Sequence, residues 1–334
     1  MAYTQEGLVA LMKQGKAPGE THAPKHIETF ISNVFLFDDR VYKFYKNDNQ
    51  TFNESFQDFS SKDARFRFTE KDFAWNHAST PSVYTELIGV RAQEDGVVFV
   101  PREEAEELVI TMNRVDTHDI LFEKLLRGAI TRDDAFAIGK GLGESLQKVR
   151  TPLPGGLNYD EIFQDRIDDA RAWMRVMEHR IPSAEIDTYC AYMTDFREQH
   201  RALFTGELTA ALAYGGDIHS HNALYTGGTL YLMDTYSPKE AWLIEYHGTP
   251  VYRLAADMWV LSGEREFFDA CIAGYEESSG LTVNRALDDL YVVYALTIAA
   301  PYHYMLEQND ATKKDAADRI HTFLREHFSA LIKT

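Results

Sequence analysis

The sequence predicts an α+β fold, with a strand-rich first third followed by a helical remainder into which one hairpin is set. Three observations predict it. Before Asn113, short β-branched and aromatic runs are broken by polar pairs such as Ser32-Asn33 and Asp38-Asp39, the residues tight turns use. After Asn113, apolar residues recur at three- and four-residue intervals, the helical period. Within that helical part, two alternating runs flank Thr226-Gly227-Gly228, a hairpin signal. With 334 residues, 45% of them hydrophobic, the chain can bury the core of one large domain or of a two-lobed pair.

The elements follow in order. MAYTQEGLVALMKQGK reads as a short amphipathic helix opening at Thr4; it has none of the parts of a secretory signal. HIETFIS, VFLFDD and RVYKFYK form three successive strands, expected as an antiparallel meander. DARFRFTEKDFAWNHAS is a helix ending near Pro81, and VVFVP and ELVITMNRV are two further strands. THDILFEKLLRG, RDDAFAIGKGLGESLQKV, YDEIFQDRIDDARAWMRVMEHR and AEIDTYCAYMTDFREQHRALF are helices, and more follow the hairpin. A division is expected after residue 112, into a small unit 1–112 and a helical unit 113–334.

Composition excludes several classes. A net charge of −18 repels phosphate backbones, so nucleic acid is not an expected partner. No run approaches the roughly 18 apolar residues of a membrane helix, so no membrane partner is expected. The two cysteines, Cys190 and Cys271, form no CxxC pair. They fit a reducing, cytoplasmic setting and argue against a disulfide framework or a cysteine zinc site.

The chemistry concentrates in the hairpin region. Asp217 and Asn222 have four residues between them, and Asp234 lies on the following strand. That is the order of a phosphotransferase catalytic loop followed by a metal-binding aspartate. Phosphoryl transfer requires an oriented acceptor hydroxyl and neutralised phosphate oxygens. Asp217 can accept the hydroxyl proton, while Asn222 and Asp234 offer the hard oxygen ligands that Mg²⁺ takes. Lys43, on the third strand, is placed as kinases place the lysine that reaches the α- and β-phosphates, with Glu70 on the next helix as its acidic partner and Asp72 in reserve. Lys46 lies on the opposite strand face, whereas Tyr45 shares the Lys43 face, so alternation alone does not choose the inward side. Ser32, in Ile31-Ser32-Asn33-Val34, stands where a loop would meet phosphate, though without a glycine. The backbone of Met112 and Asn113 is expected beside a purine ring.

Each piece alone has an ordinary explanation. Asp and Asn favour turns, strand lysines are mostly solvated, and Glu70 suits a helix surface. The joint order on the right kinds of element is what points to a kinase-like arrangement, with a small antiparallel β lobe and a large helical lobe. Asp217-Ile218-His219-Ser220-His221 also fits the D-x-H-x-H strand of metal-dependent hydrolases, a rival enzyme reading.

Taken together, the residues resemble the aminoglycoside phosphotransferase and choline kinase superfamily, and most of all a bacterial group of aminoglycoside-phosphotransferase-like proteins. IETFISNVFLFDDRVYKFYK, FTEKDFAWN, GGDIHSHN, LYLMDTYSP and YRLAADMWVLSG carry the resemblance, from Ile27 to Gly263. The resemblance implies a protein-kinase-like two-lobed fold and transfer of the γ-phosphoryl group of ATP or GTP to a small-molecule hydroxyl. It implies Asp217 as base, Asn222 and Asp234 as Mg²⁺ ligands, Lys43 and Glu70 as the phosphate-binding pair, and Ser32 in the nucleotide loop. His219 corresponds to a loop-bracing histidine and Asp257 to a structural helix aspartate. Two positions depart from the pattern: Gly215 replaces the histidine of an HGD sequence, and Ser237 replaces a glutamate, with Glu240 nearby. They keep open a third reading, a nucleotide-binding module without turnover.

Overall fold

The computed structural model describes residues 4–29, 31–48, 58–149, 159–202, 216–236, 251–309 and 313–331. Gly215, Ser237, Glu240, Trp242, Tyr246 and His247 lie outside the described residues. The chain divides into two compact units, Met1–Thr117 and His118–Thr334. The cut expected after residue 112 falls inside the last strand of the first unit, which ends at Asn113.

In the first unit, helix α1 (Gln5–Lys13) opens at Thr4, whose hydroxyl accepts the Gly7 amide at 3.1 Å, a side-chain N-cap. Strands β1 (Lys25–Glu28), β2 (Ser32–Leu36) and β3 (Arg40–Tyr45) form the expected meander, and helix α2 (Lys62–Ser79) follows. Strands β4 (Tyr84–Ala92), β5 (Val97–Val100) and β6 (Glu107–Asn113) complete an antiparallel sheet of order β1-β2-β3-β6-β4-β5. The sequence reading missed β4, the longest strand. Thr85, Glu86 and Arg91 dilute its apolar pattern, and a register shift at Tyr84/Glu86 breaks its alternation.

Strand β3 is covered on both faces. Tyr42 and Phe44 pack with Leu8 and Met12 of α1, while Tyr45 packs with Phe59, Tyr84 and Ile110, with Phe68 and Phe73 of α2 against them. Side chains alternate across a strand, so Lys43 shares the α2-covered face with Tyr45. A buried polar network ties the unit together. Arg65 pairs with Glu107 at 2.9 Å and donates to the Phe59 carbonyl, and Gln5 donates to Glu107 and to the Tyr45 carbonyl.

The second unit is built on helices α3 (Leu121–Leu126), α4 (Arg132–Lys148), α5 (Tyr159–Arg175), α6 (Ser183–Gln199), α7 (Val251–Ser262), α8 (Arg265–Ser279), α9 (Asp288–Asn309) and α10 (Lys314–Leu331). Helices α4 and α8 approach backbone to backbone: a Cβ at Gly139 would collide with the Cys271 carbonyl, and one at Gly274 with that of Phe136. The predicted hairpin is β7 (Ala223–Thr226) and β8 (Thr229–Leu232). Its two-residue turn uses φ 57° at Gly227 and 77° at Gly228, left-handed backbone that suits a type I′ connection. Both cysteines are buried and free. Among the described residues no helix is long and apolar enough to cross a membrane.

Candidate active site

In the second unit, the segments around Asp217 and Asp234 are zipped together. The Gly216 amide donates to the Tyr236 carbonyl at 2.8 Å, and the Tyr236 amide donates back at 3.0 Å. Asp217 lies one residue inside that bridge and Asp234 two, and the β7–β8 hairpin closes the far end. Asp217 (φ 64°) and Asp234 (φ 52°) are the only non-glycine residues of positive φ among those described. Such backbone costs of order 1–3 kcal/mol and persists where the surrounding structure over-determines it, which clusters it at functional sites.

The loop is braced by seven polar contacts. His219 lies with Nε2 3.2 Å from Asp217 Oδ1, and its Nδ1 accepts the His221 amide at 3.3 Å. Because Nδ1 accepts, Nε2 carries the proton and donates to the carboxylate. Asp257, buried on α7, takes both the Ser220 amide (2.9 Å) and the Ser220 hydroxyl (2.7 Å) on Oδ2, the structural role expected of it. Asn222 donates from Nδ2 to the Asp217 carbonyl at 3.0 Å, to Asp217 Oδ2 at 3.2 Å and to the Asp234 carbonyl at 3.4 Å. Its carbonyl Oδ1 is the atom left for a cation, and with the Asp234 carboxylate it supplies hard oxygen donors of the kind Mg²⁺ binds.

Electrostatics keep Asp217 in its basic form. Withdrawal from water pushes the carboxyl pKa up, but the His219 imidazole, the Arg253 charge and the Asn222 amide outweigh it and hold the group below its ordinary value. The side chain is still 46% exposed, so a substrate can reach it.

His221 does something else. Its ring stacks on Phe122 at 3.8 Å between centroids and lies 5.0 Å from His303. Burial above all, then the neighbouring histidines and Lys313, push its pKa well below the ordinary value, so it is neutral near pH 7. The D-x-H-x-H reading is therefore corrected: His221 belongs to an aromatic core, and among the described residues no three His, Cys, Asp or Glu side chains are placed to hold a metal ion.

In the first unit, Lys43 is 3% exposed and its ammonium lies 5.1 Å from the Tyr45 ring centroid. The Tyr45 hydroxyl donates to Asp72 at 2.7 Å, and Asn76 donates to the other Asp72 oxygen at 2.9 Å. Glu70 is turned elsewhere, to an ion pair with Arg102 at the surface. The carboxylate on the Lys43–Tyr45 side is thus Asp72, the reserve choice. Helix phase explains it. Arg65, Thr69, Asp72, Asn76 and Ser79 form one buried polar stripe at three- and four-residue steps, and Glu70 falls off it.

Ser32 is buried at the start of β2, and its amide and hydroxyl both bond the Thr29 hydroxyl, at 2.9 and 2.7 Å. Lys46 clasps the same turn through Glu28 at 2.6 Å and the Thr29 carbonyl at 3.2 Å. Met112 and Asn113 end β6, with the Asn113 amide donating to the Val83 carbonyl and its side chain to that of Ser82. Sequence reasoning gave no role to Arg253 on α7, although it stands in the YRLAADMWVLSG stretch, and passed over Tyr302 on α9. The Tyr302 ring lies 5.4 Å from that of His219, and Tyr302 stands in no motif that would mark it.

No family model matches the chain, and no curated protein does. Solved structures do. A choline/ethanolamine kinase family protein from Mesorhizobium loti is 14% identical at a TM-score of 0.50, covering 96% of this chain and 93% of that one. A choline kinase from Cryptosporidium parvum is 10% identical at 0.52, covering 99% and 97%. At such identities the likeness establishes the fold alone, a two-lobed protein-kinase-like fold.

Proposed function

We propose that the protein is a Mg²⁺-dependent phosphotransferase that moves the γ-phosphoryl group of ATP or GTP to a hydroxyl of a small molecule. The observation that carries the reading is the pair of left-handed aspartates on zipped segments, with one asparagine bonded to both. Asp217 is the base: held ionised and oriented by His219, it takes the acceptor's proton as the hydroxyl oxygen attacks. Asn222 Oδ1 and the Asp234 carboxylate would hold the metal, whose charge offsets that of the phosphate oxygens. Lys43 is assigned to the nucleotide phosphates with Asp72, rather than Glu70, as its acidic companion. Ser32, through the turn it shares with Thr29, and the carbonyls of Met112 and Asn113 complete the assignment for the nucleotide. The fold neighbours support a small acceptor, one being a choline kinase and the other a choline/ethanolamine kinase family protein by name.

The test measures thermal stabilisation by ATP and GTP with and without Mg²⁺, then nucleotide consumption across a library of hydroxyl compounds. Asp217→Ala is expected to lower turnover by about 10²- to 10⁴-fold, the usual worth of a positioned base, while nucleotide still binds. Equal turnover in wild type and variant would remove Asp217 from the role. Mg²⁺-dependent nucleotide binding with no consumption of any compound would favour the binding module.

A further inference from the structure

Arg253 stands on α7 one turn before Asp257, and residues four apart share a helix face. Asp257 bonds the Ser220 amide and hydroxyl, so that face is the one turned to the catalytic loop. The Arg253 charge acts on Asp217, Tyr302, His221 and His303, so those groups lie within its electrostatic reach. Its guanidinium nevertheless makes no hydrogen bond or ion pair with the described residues, and its Nε is buried without a partner. Several half-buried arginines of the same unit do pair with acids: Arg166 with Asp169, Arg171 with Asp168, Arg180 with Glu307 and Asp318, and Arg265 with Asp288. In a chain with 52 acidic and 34 basic residues, an arginine beside the reactive loop that pairs with no carboxylate among the described residues needs an explanation. A buried donor without an acceptor is costly, and a guanidinium presents a rigid fork matched to the paired oxygens of phosphate or carboxylate.

We propose that Arg253 is the anion-binding residue of the Asp217 loop, there to take the oxygens of the phosphoryl group in transfer or of an anionic group on the acceptor. The existence of the site rests on Arg253 itself; only the identity of the oxyanion rests on the phosphotransferase reading. Either source has the same chemistry, a pair of anionic oxygens reached from the Asp217 side. The second would give the protein an acceptor bearing a phosphate or carboxylate, unlike choline.

Inorganic phosphate is the probe, titrated by calorimetry into wild type, Arg253→Gln and Arg253→Lys, each alone, with MgADP, and with Mg²⁺ and a non-hydrolysable ATP analogue. Phosphate is expected to bind wild type, about ten- to a hundredfold more weakly to Arg253→Gln, and with intermediate affinity to Arg253→Lys, which keeps the charge and loses the fork. Displacement of phosphate by the ATP analogue but not by MgADP identifies the transferred phosphoryl group as the ligand. Undiminished binding beside the analogue identifies an anionic acceptor. Absence of phosphate binding in wild type, or equal affinity in all three proteins, overturns the proposal. Should circular dichroism show Arg253→Gln unfolded, the Lys variant decides alone. Failure of wild type to bind any nucleotide would sink the phosphotransferase reading, and the nucleotide-free titration would still decide on Arg253.

Discussion

Lys43 and Asp217 are held by opposite means. Lys43 sits on a strand covered on both faces, 3% exposed, with the Tyr45 ring beside it and the Tyr45–Asp72–Asn76 chain leading into α2. Packing fixes its position. Asp217 is 46% exposed at the side chain and is fixed by its backbone, through a left-handed φ, the two-bond bridge of the preceding Gly216 to Tyr236 and the anchoring of Ser220 on Asp257. A lysine that needs only to present charge can be immobilised inside a core. A base that must meet a substrate has to stay open, so its order comes from hydrogen bonds below it and from strain in the chain.

The comparison breaks first at Asp72. Removing its carboxylate takes a buried acceptor from the Tyr45 hydroxyl and one of two from the Asn76 amide, which also donates to the Asp72 carbonyl at 3.0 Å. Asp72→Ala is therefore expected to lose about 1–3 kcal/mol of stability and to weaken nucleotide binding. Glu70→Ala, which removes only a surface ion pair with Arg102, should cost less than about 1 kcal/mol and leave nucleotide binding as it is. Chemical denaturation and nucleotide titration of the two variants check this. If Glu70→Ala were the more damaging, α2 would be turned the wrong way in this account.

A second pair of variants isolates the strain. Asp234→Gly and Asp234→Ala both remove the carboxylate assigned to the metal, so both should lose Mg²⁺-dependent nucleotide binding. They differ in backbone. Glycine adopts φ 52° freely, whereas a Cβ there costs roughly 1–2 kcal/mol. Asp234→Gly should accordingly be the more stable of the two by about that amount. Equal denaturation midpoints would mean that the left-handed conformation stores nothing.

Much of this was legible in the sequence because it rests on local rules. The meander, the α2 boundaries, the Thr4 cap and the Gly227-Gly228 turn follow from periodicity and turn chemistry. The order Asp217, Asn222, Asp234 is a spacing, and a spacing survives without coordinates. Helix phase was not legible where the buried stripe is polar. Arg65, Thr69, Asp72 and Asn76 face inward while Phe66, Phe68, Phe73 and Trp75 spread around α2, so no apolar face told Glu70 from Asp72. Strand β4 was hidden by the Thr, Glu and Arg residues in its run. The role of Arg253 could not be read because its significance is the lack of a partner among the described residues, which only the folded chain reveals.

The smallest effect lies beneath the open loop, where α4 holds the hairpin. The Thr131 hydroxyl accepts the Asp134 amide at 3.2 Å while Asp134 accepts the Thr131 amide at 2.9 Å, a reciprocal cap, and the Tyr225 hydroxyl of β7 donates to the same carboxylate at 2.8 Å. Partial burial pushes the Asp134 pKa up, but the Thr131 hydroxyl and amide and the Tyr225 hydroxyl outweigh it, and the folded-state pKa lies below its ordinary value. The folded chain thus holds this proton more weakly than the unfolded chain. The carboxylate's contribution is present above the ordinary aspartate pKa of about 4 and is lost as pH falls through the depressed folded-state value. Asp134→Asn should be less stable than wild type at pH 7, and the gap should close as both are taken to acid pH. Thr131→Ala, which removes the hydroxyl half of the cap, should cost about 1 kcal/mol at neutral pH. A gap between wild type and Asp134→Asn that stayed constant with pH would show that the carboxylate's charge, and with it the charged tie from α4 to the hairpin, adds nothing to the order of the loop above.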